Sequence, residues 1–190
     1  MASYKTTISV NGQKHDTLKD ILPETAKQLD ILFIAKTPAT KSVNAGHYFQ
    51  GRQGQMFWNR LKEYGVLSVR PNTFEDENLI ANNYGLTDIV KIPRDYGNEP
   101  SADEYKAGLD RILNTIKTFK PKVIVFVYKK VLDNILRYGF GLTPLTQYGF
   151  NKDLVNLFGS KVFVFPMPGT PCTTNQAVVA MTELQKTLKR

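Results

Sequence analysis

The chain has 190 residues, 42% of them hydrophobic and 22% charged, and a net charge of +8. That is ordinary for a water-soluble domain with a substantial core, and it excludes a disordered or fibrous chain. The longest apolar runs are five or six residues, so no segment is long enough to span a membrane.

A single cysteine, Cys172, excludes an internal disulfide and any site built from several thiolates. Two histidines, His15 and His47, exclude a histidine-rich metal centre. The first ten residues lack the apolar stretch of a secretion signal, so the cytoplasm is the expected compartment. The positive charge favours a polyanionic partner such as nucleic acid, a phosphorylated ligand or an anionic surface. The Lys and Arg residues are spread along the chain, with no basic tail.

In chain order, residues 6–15 alternate around Asn11-Gly12, which predicts a hairpin. Residues 17–28 read as a short helical or irregular lead-in broken by Pro23. Ile31–Ala35 is a non-alternating apolar run, as expected of a strand covered on both faces. Helical spacing follows over Gln53–Tyr64, with Met56, Phe57 and Leu61 on one face. A weaker extended segment lies near Leu86–Ile92. Ser101 to Glu104 forms a capping box for a helix carrying Tyr105, Leu109, Ile112, Leu113 and Ile116, which Pro121 ends. Val123–Tyr128 and Val162–Phe165 are further buried-type strands. Thr173 to Gln176 is a second capping box, opening a helix with Ala177, Val178, Met181, Leu184 and Leu188 inward.

Strands alternating with helices imply a three-layer α/β/α sandwich around a mostly parallel central sheet, in one domain over residues 1–190 with 1–29 as hairpin and lead-in. Right-handed crossovers then bring the loops after the strands to one sheet edge. Segments 35–52, 128–130 and 166–173 should converge there, where open α/β sheets bind ligands.

The residues in those loops resemble the uracil-DNA glycosylase superfamily over roughly residues 16–188. ILFIAKTPA stands where the mismatch-specific (thymine/uracil) branch has a strand followed by G-I-N-P-G. HYFQGRQGQMFWNRL is similar both to the F-x-G-R-x-G-Q pattern of the iron–sulfur branch and to the F-W of the mismatch-specific branch. YGLTDIVKIPR sits in the place of T-N-x-V-K, and VFPMPGTPCTT in that of the second signature. The closer likeness is to the mismatch-specific branch, with altered active-site motifs. With one cysteine the chain cannot be a standard iron–sulfur member.

The resemblance implies an enzyme that flips a damaged or mismatched base from DNA and hydrolyses its N-glycosidic bond, without metal or cofactor. DNA, duplex or single-stranded, is then the partner, and a monomer is expected. Phe49, beside Gly51 and Arg52, matches the aromatic that stacks on the flipped base. Ala35, Lys36, Thr37 and Pro38 form the first base-binding loop. Thr37 replaces the Asn that orients water, and a hydroxyl holds water but is a poor base. Lys36 suits an anionic base or a phosphate, and Lys41, Arg52 and Lys129 are further phosphate candidates. Asn44 and His47 are candidate substitutes for water positioning.

Asp88 replaces the Asn that reads the pyrimidine edge. An ionised Asp only accepts hydrogen bonds and meets uracil O4 with repulsion, so Asp88 implies a base other than plain uracil, or a recruited catalytic carboxylate. In the loop of Pro166, Met167, Pro168, Gly169, Thr170 and Pro171, Met167 and Pro171 are candidate wedges, while Gly169 and Thr170 suit phosphate approach. Each residue also has a bland role as core, cap or turn. Two other readings stay open: a catalytically altered binding module for nucleic acid or nucleotide on the same fold, and an α/β enzyme acting on free nucleosides.

Overall fold

The computed structural model describes residues 3–95 and 97–189. Strands β1 (Lys5–Val10) and β2 (Gln13–Leu18) form the expected hairpin, longer than the alternation alone suggested. Asn11 and Gly12 both take positive φ, 50° and 78°, the conformation a two-residue hairpin turn requires. The lead-in after β2 is irregular, and Ile21 bridges Leu86 of the main sheet.

The main sheet has five strands in the order β4-β3-β5-β7-β6. Strands β3 (Ile31–Ala35), β4 (Tyr84–Asp88), β5 (Val123–Phe126) and β7 (Lys161–Val164) are parallel; the short β6 (Gly149–Phe150) runs antiparallel at the edge. The expected α/β sandwich around a mostly parallel sheet is thus present. Strand β4 begins earlier than its apolar run because Tyr84 and Gly85 pair with Ile31 and Leu32.

Successive strand residues face opposite layers. Phe33, Val125 and Phe163 pack with Phe57, Trp58 and Leu61 of α2 (Arg52–Glu63) and Met181 and Leu184 of α6 (Thr174–Leu188). Leu32, Ile34, Ile124 and Phe126 pack with Leu109, Ile112 and Ile116 of α3 (Ala102–Phe119) and Val131 and Leu132 of α4 (Lys129–Asn134). Both capping boxes form, at Ser101/Glu104 and Thr173/Gln176. Val178, expected inward, is 44% exposed. The buried face of α6 runs through Ala177, Ala180, Met181 and Leu184, and a step of one residue from Ala177 turns Val178 to solvent.

Helices α1 (Thr40–Ala45) and α5 (Val155–Phe158), a π turn over Ile135–Gly139 and three short 3₁₀ turns complete the chain. Two glycines set close approaches that shape the sheet's ligand edge. A Cβ on Gly108 of α3 would lie 2.0 Å from the Ile89 carbonyl oxygen, just past β4. A Cβ on Gly54 of α2 would lie 2.2 Å from the Phe49 carbonyl oxygen.

Candidate active site

The carboxyl ends of β3, β4 and β5 open into a cleft of about 840 Å³. Register places Ala35 directly opposite Asp88 at the last rung of the β3–β4 ladder. Two further bonds continue past the strands: Ile89 N–H donates to the Ala35 carbonyl and Val90 N–H to the Lys36 carbonyl, both at 3.0 Å. The Arg94 amide donates to the Pro38 carbonyl, also at 3.0 Å. The loop after β3 and the loop after β4 are therefore tied together as one wall.

Phe49 forms part of another wall. Its backbone has φ 58°, a conformation rare for a bulky residue and held here by its surroundings. On either side of it, the Gln50 amide donates to Ser42 Oγ at 3.1 Å, and Trp58 Nε1 donates to the Tyr48 carbonyl at 3.3 Å. Its half-buried ring packs on Phe57 and Trp58, with centroids 4.8 and 5.4 Å away. The absence of a side chain at Gly54 lets the first turns of α2 lie against the Phe49 backbone.

Asp88 lines the cleft and is 1% exposed. Its Oδ2 lies 3.3 Å from Lys91 Nζ, beside the Tyr48 hydroxyl, which itself donates to the Lys19 carbonyl at 3.2 Å. Lys91 also donates to Tyr48 Oη at 3.0 Å and pairs with Asp20 at 2.8 Å. Asp20 is held in turn by Arg111 at 3.0 Å and the Thr87 hydroxyl at 2.9 Å, and Arg111 also bonds the Asp88 carbonyl. Burial raises the Asp88 carboxyl above the ordinary carboxylate range; the Lys91 charge opposes the shift and Asp20 adds to it. Burial, reinforced by the Asp88 charge, also pushes the Tyr128 hydroxyl up to about 12.

The cleft also holds a cationic pair around one acid. Lys36 Nζ lies 2.8 Å and Lys130 Nζ 3.5 Å from Glu99 Oε1. Partial burial alone would raise Glu99, but Lys36 and Lys130 outweigh it and hold the carboxyl below its usual value. Glu99 is thus an ionised carboxylate in the cleft, flanked by two ammonium groups.

A model of the uracil DNA glycosylase superfamily matches residues 22–178. The chain belongs to the uracil DNA glycosylase superfamily. The superfamily acts on DNA, and the net charge of +8 suits that polyanion. No helix among the described residues is long and apolar enough to cross a membrane.

In this superfamily member, the predicted residues divide into two sets. Lys36, Thr37, Pro38, Phe49, Gly51, Arg52, Asp88, Pro168, Gly169 and Thr170 all line the one cleft, and Ala35 backs it as the partner of Asp88. Asn44 and His47 do not. Asn44 is exposed on α1. His47 is buried behind the wall, stacked on Phe74 at 3.7 Å, with Nδ1 2.9 Å from Asp76 Oδ1. Asp76 Oδ2 accepts from the Tyr48 amide at 2.7 Å, so His47 and Asp76 brace the Phe49 segment rather than meet a ligand.

Met167, expected as a wedge, is 2% exposed and packed in the core, where its amide closes a tight turn on the Phe165 carbonyl at 2.9 Å straight after β7. Pro171 is exposed. Burial raises the Cys172 thiol, with Arg60 opposing, which disfavours the thiolate a nucleophile needs. Sequence reasoning missed Tyr48, Lys91, Glu99 and Lys130. Tyr48 adjoins Phe49, Lys91 ends the T-D-I-V-K run and Lys130 closes the 128–130 loop expected at this edge, so all three had a signal; Glu99 had none.

Proposed function

We propose that this protein is a monofunctional DNA base-excision glycosylase that hydrolyses the N-glycosidic bond of a damaged or mismatched base flipped into the cleft. The observation that carries this reading is the joining of Phe49, Thr37 and Asp88, from three separate segments, in one cleft at the sheet's ligand edge. In this reading the base stacks on the Phe49 ring, and the first loop meets it through backbone groups and Thr37. Asp88 reads the edge of the base from within the cleft. Water adds to the sugar carbon as the base departs with the bonding electrons, and the proton that the water loses passes through solvent to the departed base. Thr37 holds the water, and Glu99 supplies negative charge to the oxocarbenium-like sugar. Lys36 and Arg52 face the departing anion or the backbone phosphates. The altered first loop keeps the nearest likeness with the mismatch-specific branch.

Excision from labelled duplex and single-stranded oligonucleotides carrying uracil, hypoxanthine, xanthine or a G·T mismatch tests the proposal, with heat and alkali revealing abasic sites. Cleavage of one base that Phe49→Ala lowers by about 10- to 100-fold and Thr37→Ala weakens supports it. A second reading, a DNA-binding module without turnover, is favoured by one observation: Lys36 is tied to Glu99 beside a Thr in place of the motif Asn. Salt-sensitive binding with no excision of any base would select it.

A further inference from the structure

A second, smaller pocket of about 280 Å³ adjoins the cleft on the β7 side. Tyr128, Lys130 and Thr170 line both cavities, so they form a shared partition. The smaller pocket adds Tyr148 and Lys129 on its walls and the buried Phe165 and Met167 beneath. Its size is at the low end for ligand pockets and suits one nucleoside rather than a larger cofactor.

The geometry points to a subsite for the nucleotide adjacent to the target, so that two consecutive nucleotides leave the stack together, one on each side of the partition. The inference rests on the glycosylase reading of the larger cleft. Three observations carry it. First, Tyr128 and Tyr148 both line this pocket; each ring packs against the core on one side and keeps part of its surface toward the cavity, where a base can stack. Secondly, the phosphate linking two such nucleotides must cross the partition, where Lys130 stands. Its side chain is 62% exposed, and its contact with Glu99, at 3.5 Å, is longer than the 2.8 Å Lys36 contact. A phosphate can therefore take Lys130 while Glu99 keeps Lys36.

Thirdly, the pocket's own acid is already satisfied. Asp133 pairs with Lys129 at 2.8 Å and accepts from the Thr146 hydroxyl. That bond, with the Gln147 amide donating to Asn151 Oδ1 at 2.9 Å, fixes the loop that carries Tyr148. The wall is thus held by its own side chains before any ligand arrives. Displacing two nucleotides costs less in single-stranded or disrupted DNA than in intact duplex, so the subsite favours single strands.

The test uses single-stranded oligonucleotides with a tetrahydrofuran abasic analogue at the target position and 2-aminopurine either next to it or three positions away. The expected result is a saturable fluorescence change at one adjacent position and none at the distant one. Tyr148→Ala should remove that change and weaken binding about tenfold, the usual scale for one lost base–aromatic stack, while Tyr148→Phe retains both. Lys130→Ala, at an exposed position that leaves the core intact, should lower the salt slope of binding by about one. Equal signals at both positions, or a signal indifferent to Tyr148→Ala with the Lys130→Ala slope unchanged, would overturn the subsite. Excision with no flanking signal would sink the subsite alone; neither binding nor excision would sink the glycosylase reading with it.

Discussion

Replacing Asp88 by Asn changes one atom of a buried side chain and should change which base the cleft accepts. Asn has the same shape, so packing around a residue 1% exposed is preserved. The fold loses one 3.3 Å charge contact, but Lys91 keeps Asp20 at 2.8 Å and Tyr48 at 3.0 Å. No buried charge is left uncompensated, and a buried carboxylate's desolvation cost disappears; the stability change should stay within about 1 kcal/mol. At the base edge the change is larger. Ionised Asp88 offers acceptors only, which suits a base with an amino group where uracil has O4. The Asn amide donates to O4 and accepts from N3–H. A buried polar group that gains a partner, or loses one, shifts binding by about 1–3 kcal/mol, or about 5- to 150-fold.

Excision rates on uracil and on amino-bearing bases should therefore cross over between wild type and variant. The wild type carries a further signature. Its Asp88 titration faces Lys91, Asp20, Tyr48, Arg111 and Tyr128. Protonated Asp88 donates as Asn does, so wild-type uracil excision should rise as pH falls through the raised Asp88 value, and the Asn variant should lack that limb. A folded Asn variant with an unchanged ratio of uracil to amino-base excision would refute Asp88 as the reader of the base.

Phe49→Ala should lower excision by about 10- to 100-fold through the lost base stack, measured as single-turnover rate, and lower Tm because the ring also packs on Phe57 and Trp58. Gly54→Ala places a Cβ 2.2 Å from the Phe49 carbonyl oxygen; urea unfolding should show a loss of about 1–3 kcal/mol, with excision falling as Phe49 is displaced. Burial raises the Asp76 carboxyl above its ordinary value of 3.8, against the opposing pull of the Tyr48 amide and His47. Its proton is held more tightly in the folded state, so its contribution to stability is full below about pH 3.8 and is lost as pH rises through the folded value. Asp76→Asn should accordingly lose less stability than wild type as pH rises above about 3.8, as read by urea midpoints at several pH values.

The strands that build the sheet were legible because Ile31–Ala35, Val123–Phe126 and Val162–Val164 are buried on both faces and read as unbroken apolar runs. Their alternation with capped helices was enough to bring the 35–52, 128–130 and 166–173 loops together. Within those loops, residue type did not reveal direction. His47 reads as a polar loop residue, yet its fate depends on Asp76, 29 positions away. Met167 reads as an exposed wedge between prolines, yet the chain turns it into the core. Glu99 lies in an irregular stretch with no periodicity, and only the fold carries it to Lys36, 63 positions away. Residue pairs of that kind are tertiary facts and leave no local pattern.

The family match begins at residue 22, but the cleft does not end there. Thr17 donates its hydroxyl to the Lys91 carbonyl at 2.6 Å, and Asp20 holds Lys91, Thr87 and Arg111 beneath Asp88. The hairpin and its exit are therefore a foundation for the base-reading residue, although they contribute nothing to the main sheet beyond one bridge. A shortened protein starting at residue 22 would keep all five sheet strands and every residue that lines the cleft. It would leave Lys91 with Asp88 as its remaining acid, pull that carboxyl toward full ionisation, and so alter selectivity from a segment that lines no part of the cleft.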